Sequence, residues 1–276
     1  VERFRGLGDV YKRQEFRFQD TRNGTIATGL MDNRTGRNGQ YIASSYYMMA
    51  IMNDGSTRSW GSQANGRGGA GSQDIGRTFP TRVAFPPGTP PVTSICNVWA
   101  HTYLITADGM AWSCGIGDTN LGGVNATSIP IPRKMQGYGD LGSTTKIVKI
   151  RGAYGDSGNP QAMLLDDQGR VYVLGGNPYN SLGITGVANV PRLLPFTETV
   201  PIREMIMQGS SLGASHLISR DGDLYVAGQQ STSGWGQVDL ASHSLWMPWG
   251  QDKKVKMTMM SETDAHWAAG YNAYRT

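Results

Sequence analysis

The sequence predicts an all-β chain, a β-propeller of four-stranded antiparallel blades, on three observations. A strand–turn–strand pattern recurs four times along the chain. Glycine makes up 38 of 276 residues, about twice the usual share, and charged residues only 17%. Other glycines and prolines recur in phase with the pattern, as turns punctuating short strands do. This composition excludes a coiled coil and a highly charged disordered chain. No run approaches the length of a membrane span.

The recurring segments are YYMMAIMNDGSTRSWG (46–61), AHTYLITADGMAWSCG (100–115), PQAMLLDDQGRVYVLG (160–175) and GASHLISRDGDLYVAG (213–228). Gly55, Gly109, Gly169 and Gly222 mark the turns, spaced 54, 60 and 53 residues apart. Each sits where a hairpin needs positive φ. Six residues later come Gly61, Gly115, Gly175 and Gly228. They close the second strand, where a missing Cβ lets a neighbouring backbone come close. Trp60, Trp112, Tyr172 and Tyr225 fall in that strand.

Gly69, Gly122, Gly183 and Gly236 follow in phase, then Pro80, Pro132, Pro191 and Pro248. Apolar runs open the next units: VTSICNVWA, KIVKIRG, IREMIMQG and KVKMTMM. Four short strands per period are the blade of a propeller. The units are predicted at 46–93, 94–146, 147–201 and 202–253, with a partial unit at 254–276. Residues 15–45 read as an irregular lead-in or partial blade. The turn glycine of a fifth unit would fall beyond Thr276. The expectation is therefore an incomplete wheel, an open arc of about four to five blades.

Residues 1–14 read differently. Asp9 to Gln14 is the translation of GATGTGTATAAGAGACAG, which resembles a transposon end used to tag sequencing libraries. The segment reads as adapter read-through in a metagenomic assembly and carries no fold information. It holds +2 of the formal net charge of +4.

The unit "apolar strand, Asp-Gly, apolar strand ending in Gly, then Leu-Gly or Trp-Gly, then Pro" resembles the regulator of chromosome condensation repeat. The resemblance rests on Asp54-Gly55, Asp108-Gly109, Asp221-Gly222, the four closing glycines, Leu121-Gly122 and Leu182-Gly183, and covers residues 46 to 276. It departs in detail. Only Trp60-Gly61 keeps the Trp-Gly end, Gln168 replaces Asp in the third unit, and His101 alone matches the His before the hairpin. The resemblance implies a wheel that usually closes with seven blades, so the missing blades of a longer chain would be partners of this one. It also brings two precedents, nucleotide exchange on a small GTPase and inhibition of β-lactamase.

Chemistry-bearing patterns are sparse. GSSLG (209–213) fits a nucleophile elbow, and GxGxxG occurs at 66–71 and 137–142, but these glycine-rich motifs arise readily at this composition. None has the strand-to-helix setting such motifs require. Asp166-Asp167 reads as a solvated turn. Cys96 and Cys114 lie in apolar strands as small buried residues, and no two histidines are spaced for metal. The expectation is a non-enzymatic module with no cofactor and no metal.

Binding is expected on connecting segments. Residues 152–160 and 261–271 are longer than their counterparts and share a phase, so they are expected on one face. They supply Tyr154, Asp156, His266 and Trp267. Trp235, Trp246 and Trp249 are placed in a second loop class. Aromatics with polar neighbours suit a protein or a cell-surface glycan. A remaining charge near +2, with no Lys/Arg run, argues against a strong nucleic-acid site. The favoured function is a virion appendage or tail-associated protein contacting a host surface, at a virion or extracellular location. The alternative is a bacterial regulator or inhibitor that grips a partner protein, in which case the cytoplasm is possible.

Overall fold

The computed structural model describes residues 19–20, 24–25, 41–43, 46–52, 54–72, 76–116, 128–136, 145–154, 160–177, 180–207, 214–228 and 243–249. A two-stranded pair, β1 (Gln19–Asp20) and β2 (Gly24–Thr25), precedes four sheets. Blade 1 is β3 (Tyr41–Ala43), β4 (Tyr47–Ile51), β5 (Thr57–Gly61) and β6 (Arg77–Arg82). Blade 2 is β7 (Val92–Val98), β8 (His101–Thr106), β9 (Ala111–Ile116) and β10 (Ser128–Lys134). Blade 3 is β11 (Ile147–Tyr154), β12 (Pro160–Asp166), β13 (Val171–Gly175) and β14 (Ala188–Leu193). Blade 4 is β15 (Ile202–Met207), β16 (Ala214–Ser219), β17 (Leu224–Gly228) and β18 (His243–Trp249). In each, sequential strands pair antiparallel in chain order.

First strands of successive sheets meet: β3 with β7, β7 with β11, and β11 with β15. The sheets therefore pack side by side around a shared axis, each with its fourth strand outermost. Blade 1 opens at Tyr41, inside the segment read as an irregular lead-in or partial blade; Tyr41–Ala43 is too short to stand out as an apolar run.

The hydrophobic core lies between blades. In β8, Tyr103 and Ile105 join Ile147, Ile150, Leu164 and Tyr172 in a cluster between blades 2 and 3. Leu104, between them in sequence, joins Met49, Ile51 and Trp112 between blades 1 and 2. In β12, Leu164 faces back toward blade 2, while Met163 and Leu165 join Met205, Met207 and Leu217 of blade 4. Successive residues of a strand point to opposite faces, so a strand buried on both reads as a continuous apolar run. All seven residues of β12 are buried.

The turn glycines have φ of +77° (Gly55), +81° (Gly109), +93° (Gly169) and +94° (Gly222). The loops hold three residues between the bonded pairs Met52/Ser56, Thr106/Met110, Asp166/Arg170 and Ser219/Asp223. Among the described residues only the glycine of each has positive φ, as in a type I turn closed by a left-handed residue. The closing glycines have φ between +94° and +127°. A Cβ on Gly61 would lie 2.7 Å from the Tyr46 carbonyl oxygen. On Gly115 and Gly175 it would overlap the Ala100 and Pro160 carbonyl oxygens.

Every fourth strand makes the same excursion, four residues against two of its partner: Ile129 to Arg133 spans Gly115 to Ser113, and Ala188 to Arg192 spans Gly175 to Val173. Pro80, Pro132 and Pro191 occupy one position in this bulge, where an outermost strand tolerates the missing N–H. In blade 4 that position is Trp246, and Pro248 falls two residues later. Proline spacing thus follows the repeat loosely, because a bulged edge strand accepts proline at more than one place.

Candidate binding face

Antiparallel order sorts the connections onto two ends of the sheets. One end carries the glycine hairpins and the links between blades. The other carries the turns between first and second strands and the long loops between third and fourth.

The hairpin end is uniform and braced. The Gly109 carbonyl accepts from Ile147 N at 2.9 Å, and the Gly169 carbonyl from Ile202 N at 2.8 Å, so each tip holds the start of the next blade. Asp54 Oδ1 accepts from Ser56 N (2.8 Å) and Oγ (2.6 Å), bonds that hold its carboxyl below the usual range. Asp166 corrects the expectation of a solvated carboxylate pair. It is buried, takes Arg170 Nε at 2.6 Å, and accepts the backbone N–H groups of Gln168 and Arg170. Of the two, only Asp167 is exposed. The hydrogen bond to Asp166, and after it the charge of that carboxylate, holds the Arg170 guanidinium above its ordinary value against the opposing effect of burial. Burial first, then the Asp166 charge, raise the Tyr172 phenol to about 12.

The opposite end is variable. Three residues separate first and second strands in blade 1, two in blade 2, five in blade 3 and six in blade 4. In blade 2 the whole turn is Trp99-Ala100 between the paired Val98 and His101. Trp99 has φ +48°, a left-handed conformation that a bulky side chain rarely adopts. In blade 1, Tyr46 is 53% exposed, with the Arg67 guanidinium 5.1 Å from its ring centroid.

Arg67 is fixed from below. Its Nε donates to Ala64 O at 2.8 Å, and its carbonyl accepts from Thr102 Oγ1 of blade 2 at 2.7 Å. The Tyr47 hydroxyl donates to His101 O at 2.9 Å and lies 2.6 Å from Thr102 Oγ1. Burial pushes the Tyr47 phenol far up and the Cys114 thiol up to about 12. Both stay neutral in these buried positions.

The long loop of blade 3 is closed by a side-chain staple. Asn177, two residues after a closing glycine, donates from Nδ2 to Ile184 O (2.6 Å) and accepts from Leu182 N (3.0 Å). An amide recurs at that offset in two other units, as the buried Gln63 of blade 1 and as Gln230 in the fourth, whereas the second unit has Gly117 there. The staple presents Leu182, of the Leu-Gly pair, to the core between blades 3 and 4.

Of the residues expected to bind, Tyr154 ends β11 at the variable end, opposite Pro160. Asp156, Trp235, His266 and Trp267, with the GSSLG motif, lie outside the described residues. Trp246 and Trp249 are corrected from loop to strand: both are in β18, and Trp249 pairs with Leu224 at the hairpin end. A charge-poor strand rich in aromatics reads like a loop where turn residues flank it closely. Tyr46 and Trp99, at the same end, were not among the residues expected to bind. The signal for Trp99 was the length of the apolar run 92–106, which is too long for one strand and must reverse.

Among the described residues no group of three or more His, Cys, Asp and Glu is placed to hold a metal. No helix there is long and apolar enough to cross a membrane.

No family model matches the sequence. Solved structures do match. Human WBSCR16 superposes with a TM-score of 0.60 at 20% identity, over 87% of this chain and 55% of that one. Prp20p from Saccharomyces cerevisiae gives 0.57 at 17% identity, over 79% and 52%. Yeast RCC1 (Prp20), in a structure with Kap60 bound, gives 0.56 at 18% identity, over 79% and 51%. The chain spans about half the length of each. The sheets, their order around the axis and these superpositions agree: the chain has the fold of an RCC1-like β-propeller, at low sequence identity.

Proposed function

We propose that this chain is a non-enzymatic binding propeller that holds a macromolecular partner on the face carrying Tyr46, Trp99 and the end of β11. One observation carries the reading. Connections at this end differ in every blade, while the hairpins at the other end are alike and braced to their neighbours. Rigid scaffolds place recognition where loop length is free to vary. A strained, half-buried Trp and an exposed Tyr are side chains of the kind that dominate protein contacts, and the Tyr lies beside the buried Arg67 guanidinium that supports it.

Within this class we assign the partner to a host cell surface and the chain to a virion appendage. The support is the low charge, the Gly-, Ser-, Thr- and Asn-rich strands and the aromatic connecting segments. The second reading, a regulator that grips a partner protein, is favoured by the similar yeast propeller, which is described with binding properties to Gsp1p and histones and in complex with Kap60.

Glycan-array and cell-surface binding of the purified chain tests the first reading, and pull-down from a lysate with partner identification the second. Trp99→Gly separates binding from folding, because Gly relieves the positive φ. The variant is expected to melt no lower than the parent, yet to lose about 2 kcal/mol of partner affinity, roughly thirtyfold. Unchanged affinity removes Trp99 from the site. Turnover of a polysaccharide contradicts the non-enzymatic reading.

A further inference from the structure

The outer strands carry a second recurring feature. Just before the bulge proline, blades 1 to 3 place an apolar residue at one position and turn it to solvent: Phe79 is 54% exposed, Ile131 43% and Val190 40%. Blade 4 has Leu245 at the same register position. Single exposed apolar side chains need no explanation, but one at the same place in three consecutive blades does.

The same strands are basic. Arg82, Arg133, Lys134 and Arg192 are exposed, Arg77 is half-buried, and β6, β10 and β14 contain no Asp or Glu. Lys134 sits 5.5 Å from the Trp112 ring centroid, and Arg192 donates to Thr185 O at 3.4 Å; among the described residues no ion pair to either is found. Asp54 feels the charge of Arg82, but it belongs to the first hairpin tip and is engaged by Ser56. On blade 3 a cleft of about 270 Å³ is lined by Ile184, Thr185, Leu193, Pro195 and Phe196 together with Arg192, which lies two residues after Val190 in β14 and is its charged residue.

We propose that the outer rim of blades 1 to 3 docks an acidic polypeptide segment that also carries apolar side chains and runs from blade to blade. The rim's positive charge selects an anionic partner. The apolar positions and the cleft select a polypeptide over a nucleic acid, whose phosphates gain little from Phe79, Ile131 or Val190. The proline and bulge on each outer strand block continuous strand addition, so contact runs through side chains. This surface is separate from the variable face, and its test is independent of that reading.

The test is fluorescence anisotropy on the whole chain, with a labelled synthetic peptide alternating Glu/Asp with Leu/Phe. A poly-Glu peptide and a single-stranded DNA oligonucleotide of matched charge are the comparisons. The variants are Phe79→Ser/Ile131→Ser/Val190→Ser and Arg82→Gln/Arg133→Gln/Lys134→Gln/Arg192→Gln, with thermal melting to confirm folding. Val190→Ser and Arg192→Gln singly replace them if either multiple variant fails to fold. Each multiple variant is expected to weaken peptide binding about tenfold, and each single one less. Parent binding is expected to fall with salt, and Trp99→Gly to leave it unchanged. Peptide binding that is absent, or indifferent to the apolar substitutions, overturns the proposal, as does an oligonucleotide that binds as tightly as the peptide.

Discussion

Gly115→Ala is expected to destabilise the protein by about 3–5 kcal/mol, in the range where substitutions unfold marginal domains. Two costs add. At φ +127° an L side chain is strained whatever the space around it. The added Cβ would also overlap the Ala100 carbonyl oxygen and lie 3.0 Å from His101 Cα. Relief means separating β8 from β9 where the Ile116 N–H bonds to Ala100 O. Gly55→Ala is the internal comparison. Its φ is +77°, but nothing lies within 4 Å of the added carbon. Only the left-handed penalty of about 1 kcal/mol remains. Urea denaturation of both variants checks the difference. Equal losses would mean that the closing glycines are not held against the adjacent strand.

Leu164→Ala is expected to cost about 3–4 kcal/mol. Leu164 is fully buried in the cluster between blades 2 and 3, and deleting three carbons there leaves a cavity that two facing sheets cannot both collapse into. Its neighbour Leu165 points the other way, into the cluster with Met205 and Met207 of blade 4. Double-mutant cycles exploit that alternation. Leu164→Ala with Ile105→Val is expected to show coupling of about 0.5–1 kcal/mol, and Leu165→Ala with Ile105→Val essentially none. Coupling in both cycles, or in neither, would contradict the placement of the core between blades.

The architecture was legible because one chemical requirement recurs. The three-residue hairpin needs a left-handed residue, so Gly55, Gly109, Gly169 and Gly222 mark it whatever the neighbouring sequence does. Strands buried on both faces, such as β12, appear as unbroken apolar runs. Where the chain meets its needs without a signature residue, the sequence was silent. The Trp99-Ala100 turn reverses the chain with no Gly, Asn or Asp, so its aromatic read as part of a strand. β18 reads as a loop because its aromatics sit among turn-forming residues. Asp166 looked like turn chemistry, and only the fold reveals that Arg170 and two backbone N–H groups converge on it. The staple at Asn177 is a polar position in a glycine-rich loop, where an amide is too common to stand out. The binding face was partly legible. Loop length led to the end of the sheets where Tyr154 lies, the end proposed here for binding, but not to the side chains Tyr46 and Trp99.

The repeated sheets radiate from one axis. Pulsed electron paramagnetic resonance between nitroxide pairs on blades 2 and 3 tests this most directly, in a Cys96→Ala/Cys114→Ala background. Thr93 and Val148 are exposed at equivalent positions of the first strands, and Ile131 and Val190 at equivalent positions of the fourth. Radiating sheets make the Ile131–Val190 distance clearly longer than the Thr93–Val148 distance. Equal distances would mean sheets stacked in parallel, and would contradict the propeller.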